Sequence, residues 1–220
     1  FNPKLNDQPI VVLSNNDGCI IARSNEAKAL GIEMGKPFFE YKPLLTDHHL
    51  HVFSSNYALY GDMSHRVMNV LQQGESQVEV YSIDEAFIAL PNHHGDRTAW
   101  GQHLKAIIQQ YTGIPVSIGV APTKTLAKVA NRLAKRQAVY QGVLDMTTLA
   151  DVEELLATVE VGDIWGIGPK YAELLKRHHI QNALDFLEFD SRVIDSPKGI
   201  LTSKKLILPG VGSFRVAMEH

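Results

Sequence analysis

QVEVYSIDEAFIAL, residues 77–90, decides how the rest of the chain reads. Val78, Val80 and Ser82 alternate with Glu79, Tyr81 and Ile83, the period-two pattern of a half-buried strand. Residues 86–90 read as a second short strand. Between the two stand Asp84 and Glu85, adjacent carboxylates in an otherwise apolar run. Two acids at the head of a buried hairpin are costly unless a cation offsets them. Hard divalent cations prefer oxygen ligands, and phosphoryl transfer uses Mg²⁺ held by one or two such carboxylates. A solvated turn is the plainer alternative, since Asp is common in turns.

Working outward, Met63, Val67, Val70 and Leu71 recur at helical spacing ahead of the hairpin, and Gly74 stops that helix. Beyond it, Trp100, Leu104, Ile107, Ile108 and Tyr111 mark a second amphipathic helix, and residues 114–120 alternate as a strand. Thr123 caps a third helix running to Arg136, and residues 142–144 add a short strand. One more strand in front would make the order βαββαβ, the ferredoxin-like unit, an α+β layer of one sheet beneath helices. That opening strand is either hidden in residues 38–56 or lies upstream of Phe1. The expectation is a single sheet with an open strand position beside the Asp84 hairpin.

The opening third looks like a small subdomain. PIVVL (9–13) and CIIA (19–22) are β-rich runs joined by SNNDG, whose Asn16, Asp17 and Gly18 suit a tight hairpin turn. A helix follows over residues 25–30, and residues 38–56 show no clear period beyond a short strand near Phe53.

At 220 residues, 45% hydrophobic and 20% charged, the chain has the composition of an ordinary globular protein rather than a disordered one. No apolar run has membrane-spanning length and no signal-like segment opens the sequence. Cys19 is the only cysteine, which excludes an internal disulfide and points to a reducing, cytoplasmic setting. Net charge is −3, yet residues 97–144 contain no Asp or Glu while holding Arg97, Lys105, Lys124, Lys128, Arg132, Lys135 and Arg136. Lys124, Lys128, Arg132 and Lys135 line one face of the third helix with no acids interspersed, which favours a cationic rail for phosphates over a merely solvated face. The ten histidines show no cysteine pairing or HExxH spacing for zinc. The first residue is Phe1 and not methionine, so the chain reads as a piece of a longer protein.

After Asp145 an acidic helical region leads to VGDIWGIGPKYAELLKRHHI. Trp165, Gly166, Ile167 and Gly168 form a glycine turn opening a helix, the pattern of a helix-hairpin-helix module. Its glycines and helix N-terminus would let backbone N–H groups approach a phosphate, a reading favoured over glycines that merely turn the chain between two packed helices. Residues beyond 190 have no clear periodicity.

VVLSNNDGCIIARSNEAKALGIEMG, FSSNYALYGDMSHRVMNVL, VEVYSIDEAF, GVAPTKTLAKVANRLAK and VGDIWGIGPK, in this order, resemble the Y-family translesion DNA polymerases, in particular their UmuC-like branch. The resemblance implies a ferredoxin-like palm over residues 57–146, small fingers over 1–56, a helix-hairpin-helix thumb over 147–190 and a divergent tail over 191–220. It implies that Asp84 and Glu85 hold two catalytic Mg²⁺ ions. Lys135 and Lys28 would contact the incoming triphosphate, and Arg23 would line the nascent pair, whereas Asn25 stands where some relatives carry a tyrosine. Gly166, Gly168, Lys170 and Lys128 would grip DNA, with the glycine hairpin as a separate lobe and Lys135 near the carboxylates. Implied partners are primer-template DNA, dNTP, a UmuD-like accessory subunit, the RecA filament and the sliding clamp, and no membrane. The family's first metal-binding aspartate and steric gate would precede Phe1, and a little finger would follow, so the chain as given is expected to be inactive. Two other functions compete: a palm-type nucleotidyl cyclase, against which the glycine hairpin and SNNDG argue, and a non-catalytic DNA-binding adaptor.

Overall fold

The computed structural model describes residues 2–74, 77–90 and 95–188; the tail over 191–220 lies outside them. The chain divides into two compact units, Phe1–His65 and Arg66–His220.

The first unit is built on a three-stranded sheet. β1 (Ile10–Leu13) lies at its centre, antiparallel to β2 (Ile20–Arg23) and parallel to β3 (His51–Ser54). The β1–β2 turn is set by its short polar residues. Asp17 takes a φ of 54°, the left-handed region that Asp tolerates. The Asn16 side chain accepts from the Ser14 hydroxyl and the Gly18 N–H, and the Ser14 hydroxyl accepts from the Cys19 N–H. α1 (Asn25–Ala29) starts at Ser24, whose hydroxyl accepts from the Ala27 N–H. Val11, Leu13, Ile20, Ala27, Ile32 and Leu50 form the core. The aperiodic stretch after Pro37 resolves into a 3₁₀ turn (Phe38–Tyr41), α2 (Leu44–Asp47) and β3. Because β3 pairs with β1, it does not supply the opening strand sought for the Asp84 hairpin.

α3 (Tyr57–Gly74) spans the boundary between units. In the second unit, β4 (Val78–Val80) pairs antiparallel with β5 (Ala86–Ile88), in the register Val78↔Ile88, Glu79↔Phe87 and Val80↔Ala86. α4 (Arg97–Thr112) begins at the Asp96 cap and ends at Gly113, whose φ is 74°. β6 (Ile118–Val120) and β7 (Val143–Asp145) run parallel, with α5 (Lys124–Arg136) between them in sequence. Among the described residues the expected single sheet is two separate ladders, β4–β5 and β6–β7. The strand expected from 114 begins only at Ile118. Pro115 has no N–H for a ladder, and it biases the residue before it as well.

Two cores hold this unit. Met68 and Leu71 of α3 meet Leu104 and Ile108 of α4 under Val78, Ala86 and Ile88 of the hairpin. The other joins Val129, Ala130 and Leu133 of α5 to Leu144 of β7 and to the chain beyond it. That later chain comprises α6 (Val152–Ala157), a 3₁₀ turn (Val161–Asp163), α7 (Pro169–Arg177) and α8 (Ala183–Glu188). Leu156, Val161, Ile164, Leu175 and Ala183 share the core with α5, so the glycine hairpin is not the separate lobe expected. No helix among the described residues is long and apolar enough to cross a membrane.

Candidate active site

The turn between β4 and β5 presents the two acids. The Tyr81 and Ser82 N–H groups both donate to the Glu85 carbonyl, at 3.0 and 3.1 Å, which closes the loop. The Ser82 hydroxyl donates to Asp84 Oδ1 at 2.8 Å and steadies that carboxylate. Asp84 and Glu85 are both exposed.

Pleating puts Val78, Ala86 and Ile88 on the core side and Glu79, Tyr81, Glu85 and Phe87 on the other. α5 covers that second side. Lys124 Nζ pairs with Glu79 at 2.5 Å and lies 5.2 Å from the Phe87 ring centroid. One turn on, Lys128 Nζ lies 2.9 Å from Glu85 Oε1 and 3.0 Å from Oε2. The spacings match: four residues of helix advance about 6 Å, and two residues of strand about 6.8 Å. Lys128, read from the sequence as a DNA contact, therefore points at the carboxylate hairpin and not outward. Its side chain is 23% exposed, against 45% for Glu85.

Trp165 closes the cluster from the glycine hairpin. Its ring meets Tyr81 edge-on at 5.2 Å and 89°, and Phe87 at 5.9 Å and 44°. Lys128 Nζ stands 4.9 Å from the Trp165 centroid and 5.0 Å from that of Tyr81. The sequence places Trp165 only in the glycine turn and assigns it no contact with this face of the hairpin. The legible signal was the alternation that places Tyr81 and Phe87 beside Glu79 and Glu85.

The cationic rail also finds partners beyond its own helix. Arg132 and Arg136 both pair with Asp163 of the turn before the glycine hairpin. Lys135 is exposed, and among the described residues it has no ion-pair partner. It stands two helical turns, about 10 Å, beyond Lys128. In the glycine hairpin, Gly166 takes a φ of 90°, which an L side chain rarely adopts. Gly168 opens α7 with Pro169 at its first position, followed by exposed Lys170. Among the described residues the N–H groups of Gly166, Gly168 and Lys170 have no backbone acceptor outside regular elements. Lys28 and Arg23 belong to the first unit. The exposed Lys28 ammonium donates to Asn25 Oδ1 at 3.0 Å, while Arg23 Nη1 donates to the Ile32 carbonyl and its buried Nε has no acceptor among the described residues.

The donor set suits a hard divalent cation. Both groups are exposed carboxylates, Asp84 keeps one oxygen free of any donor among the described residues, and Glu85 already holds one cation in the Lys128 ammonium. No third His, Cys, Asp or Glu joins them among the described residues. Remaining ligands would be water, substrate phosphates or other protein oxygens.

Residues 1–132 match the impB/mucB/samB family, and residues 150–180 match that family's HHH motif. The chain belongs to the impB/mucB/samB family. It is 44% identical over 198 residues to Protein ImpB of Salmonella typhimurium, covering 88% of this chain and 47% of that protein. It is 29% identical over 223 residues to DNA polymerase IV of Corynebacterium diphtheriae, covering 99% of this chain and 47% of that protein. The chain thus spans about half the length of the curated relatives it matches. Among solved structures it resembles an insertion ternary complex of Dbh DNA polymerase, with a TM-score of 0.72 and 27% identity, covering 86% of this chain and 56% of that one. It also resembles a DinB family error prone DNA polymerase from Sulfolobus solfataricus, with a TM-score of 0.67 and 27% identity, covering 86% and 54%. The Y-family resemblance carried by the five sequence blocks is borne out, and the helix-hairpin-helix reading falls on the segment that matches the HHH motif.

Proposed function

We propose that the whole protein is a template-directed DNA polymerase that extends primers across damaged template bases. The observation that carries this reading is the exposed Asp84–Glu85 turn, backed by a lysine-bearing helix and followed by a glycine hairpin, in a chain of this family. Asp84 and Glu85 would hold the divalent cations, two Mg²⁺ by family resemblance. When bound, such ions offset charge on the attacking and leaving oxygens of an in-line displacement at phosphorus. The Ser82 hydroxyl would keep the Asp84 carboxylate oriented, and Lys128 would balance charge at Glu85. Lys135, exposed and without an ion-pair partner among the described residues, is assigned to the triphosphate of the incoming dNTP. Lys28 and Arg23 are assigned to the same nucleotide from the fingers. Gly166, Gly168 and Lys170 would meet primer-template phosphates through backbone N–H groups and an ammonium. A UmuD-like subunit, the RecA filament and the sliding clamp are the partners proposed from the family.

The test is incorporation of dNTPs on a primer-template by the protein at its relatives' full length. The expected result is that the template base selects the nucleotide added. Extension indifferent to the template, or cyclisation of a nucleoside triphosphate without DNA, would favour the cyclase alternative. Duplex binding with no incorporation would favour the adaptor.

A further inference from the structure

The Lys128 ammonium lies on one of the two carboxylates assigned to a divalent cation, within reach of two aromatic rings. A ring attracts a cation within about 6 Å of its centroid, so Tyr81, Trp165 and Glu85 together hold this ammonium in one place. A divalent cation approaching Glu85 meets that positive charge, and the ammonium must lean away before it can bind. Tyr81 belongs to the carboxylate hairpin itself. Trp165 comes from the glycine hairpin and is 36% exposed, so it contributes its ring face more than core volume.

We propose that Trp165 is a positioning residue: it fixes the Lys128 ammonium against Glu85 and thereby sets how tightly the Asp84–Glu85 turn takes a divalent cation. The proposal rests on the assignment of Asp84 and Glu85 as cation ligands. It also makes the glycine hairpin a participant in metal affinity. Whatever moves the turn at Trp165 changes affinity at Glu85, and by linkage cation binding acts back on that turn.

Mn²⁺, which shares the preference of Mg²⁺ for oxygen ligands, is titrated into the chain, with free ion read by electron paramagnetic resonance. Lys128→Met removes the competing charge and should tighten binding about tenfold. Trp165→Leu keeps apolar bulk without a ring and should tighten it about 2- to 5-fold, the weight of one exposed cation–π contact. Trp165→Phe restores a ring and should return to wild-type affinity. On the Lys128→Met background Trp165→Leu should add nothing, because it acts through the ammonium. Wild-type affinity in Trp165→Leu, or an equal gain with and without Lys128, overturns the proposal. Should Trp165→Leu fail to fold, Trp165→Met takes its place with the same expected tightening, and wild-type affinity there, or absence of tightening in Lys128→Met, overturns the proposal. Asp84→Asn separates the two assignments. If it leaves the Mn²⁺ site intact, the turn is not the cation site and both fall. If it removes the site while Trp165→Leu changes nothing, only the role of Trp165 falls.

Discussion

Gly168 enters α7 with φ −79° and ψ 171°, and a Cβ built there meets nothing within 4 Å among the described residues. No backbone strain, and no packing among the described residues, therefore demands glycine at this position. Room in front of the N–H groups would, for a phosphate drawn close to them. Gly168→Val should leave stability within about 0.5 kcal/mol, as open surface changes do. It should weaken primer-template binding about tenfold at every sequence, by keeping charge-assisted hydrogen bonds from forming. A salt titration reads both affinity and the number of phosphates engaged; a variant that binds as wild type would leave the hairpin a turn and nothing more. At this scale the acids were legible, because Asp84 and Glu85 interrupt an apolar run of neighbours in sequence. Trp165 was not, because its meaning comes from Tyr81 and Phe87, far away along the chain, and no period connects them.

β6 and α5 approach so closely that Gly119 has no room for a side chain. A Cβ there would lie 2.2 Å from Asn131 N and 2.3 Å from Ala127 O, both backbone atoms. The Asn131 side chain also donates to the Ser117 carbonyl across the same contact. Gly119→Ala should cost at least the 3 kcal/mol or so at the upper end of ordinary overpacking, since no rotamer change relieves a clash with backbone. Urea unfolding checks this, and a midpoint unchanged from wild type would contradict the packing described. α5 itself was legible from end to end, including Thr123, whose side chain accepts from the Leu126 N–H. Its apolar period and its cap are local properties. What the period could not reveal was the destination of its cations. The absence of acids within the helix pointed to phosphates, but Glu79, Glu85 and Asp163 arrive from other elements. Strand pairing was less legible still, because three-residue strands carry too little alternation to specify their neighbours.

Across the molecule, the charge map changes meaning once folded. The acid-free run over 97–144 reads as a basic segment that carries a cationic rail for phosphates, yet Lys124, Lys128, Arg132 and Arg136 pair with carboxylates within the second unit. Surface pairs, some of them half-buried as Lys128 and Asp163 are here, contribute on the order of 1 kcal/mol or less each, so their effect is orientation more than stability. They hold α5 across the carboxylate hairpin and against the turn before Gly166, while the shared apolar core fixes the same helix from its other face. Asp84 and Glu85 are thereby left exposed on a braced turn, the arrangement a site assembled around metal and substrate needs. The measurement that tests this most directly is Mg²⁺-dependent primer extension by the protein at its relatives' full length, wild type against Asp84→Asn. If the turn holds the catalytic cations, the rate falls about a thousandfold or more, by analogy with lost transition-state charge stabilisation, while primer-template binding stays within about twofold of wild type. Extension at the wild-type rate in Asp84→Asn would contradict the account.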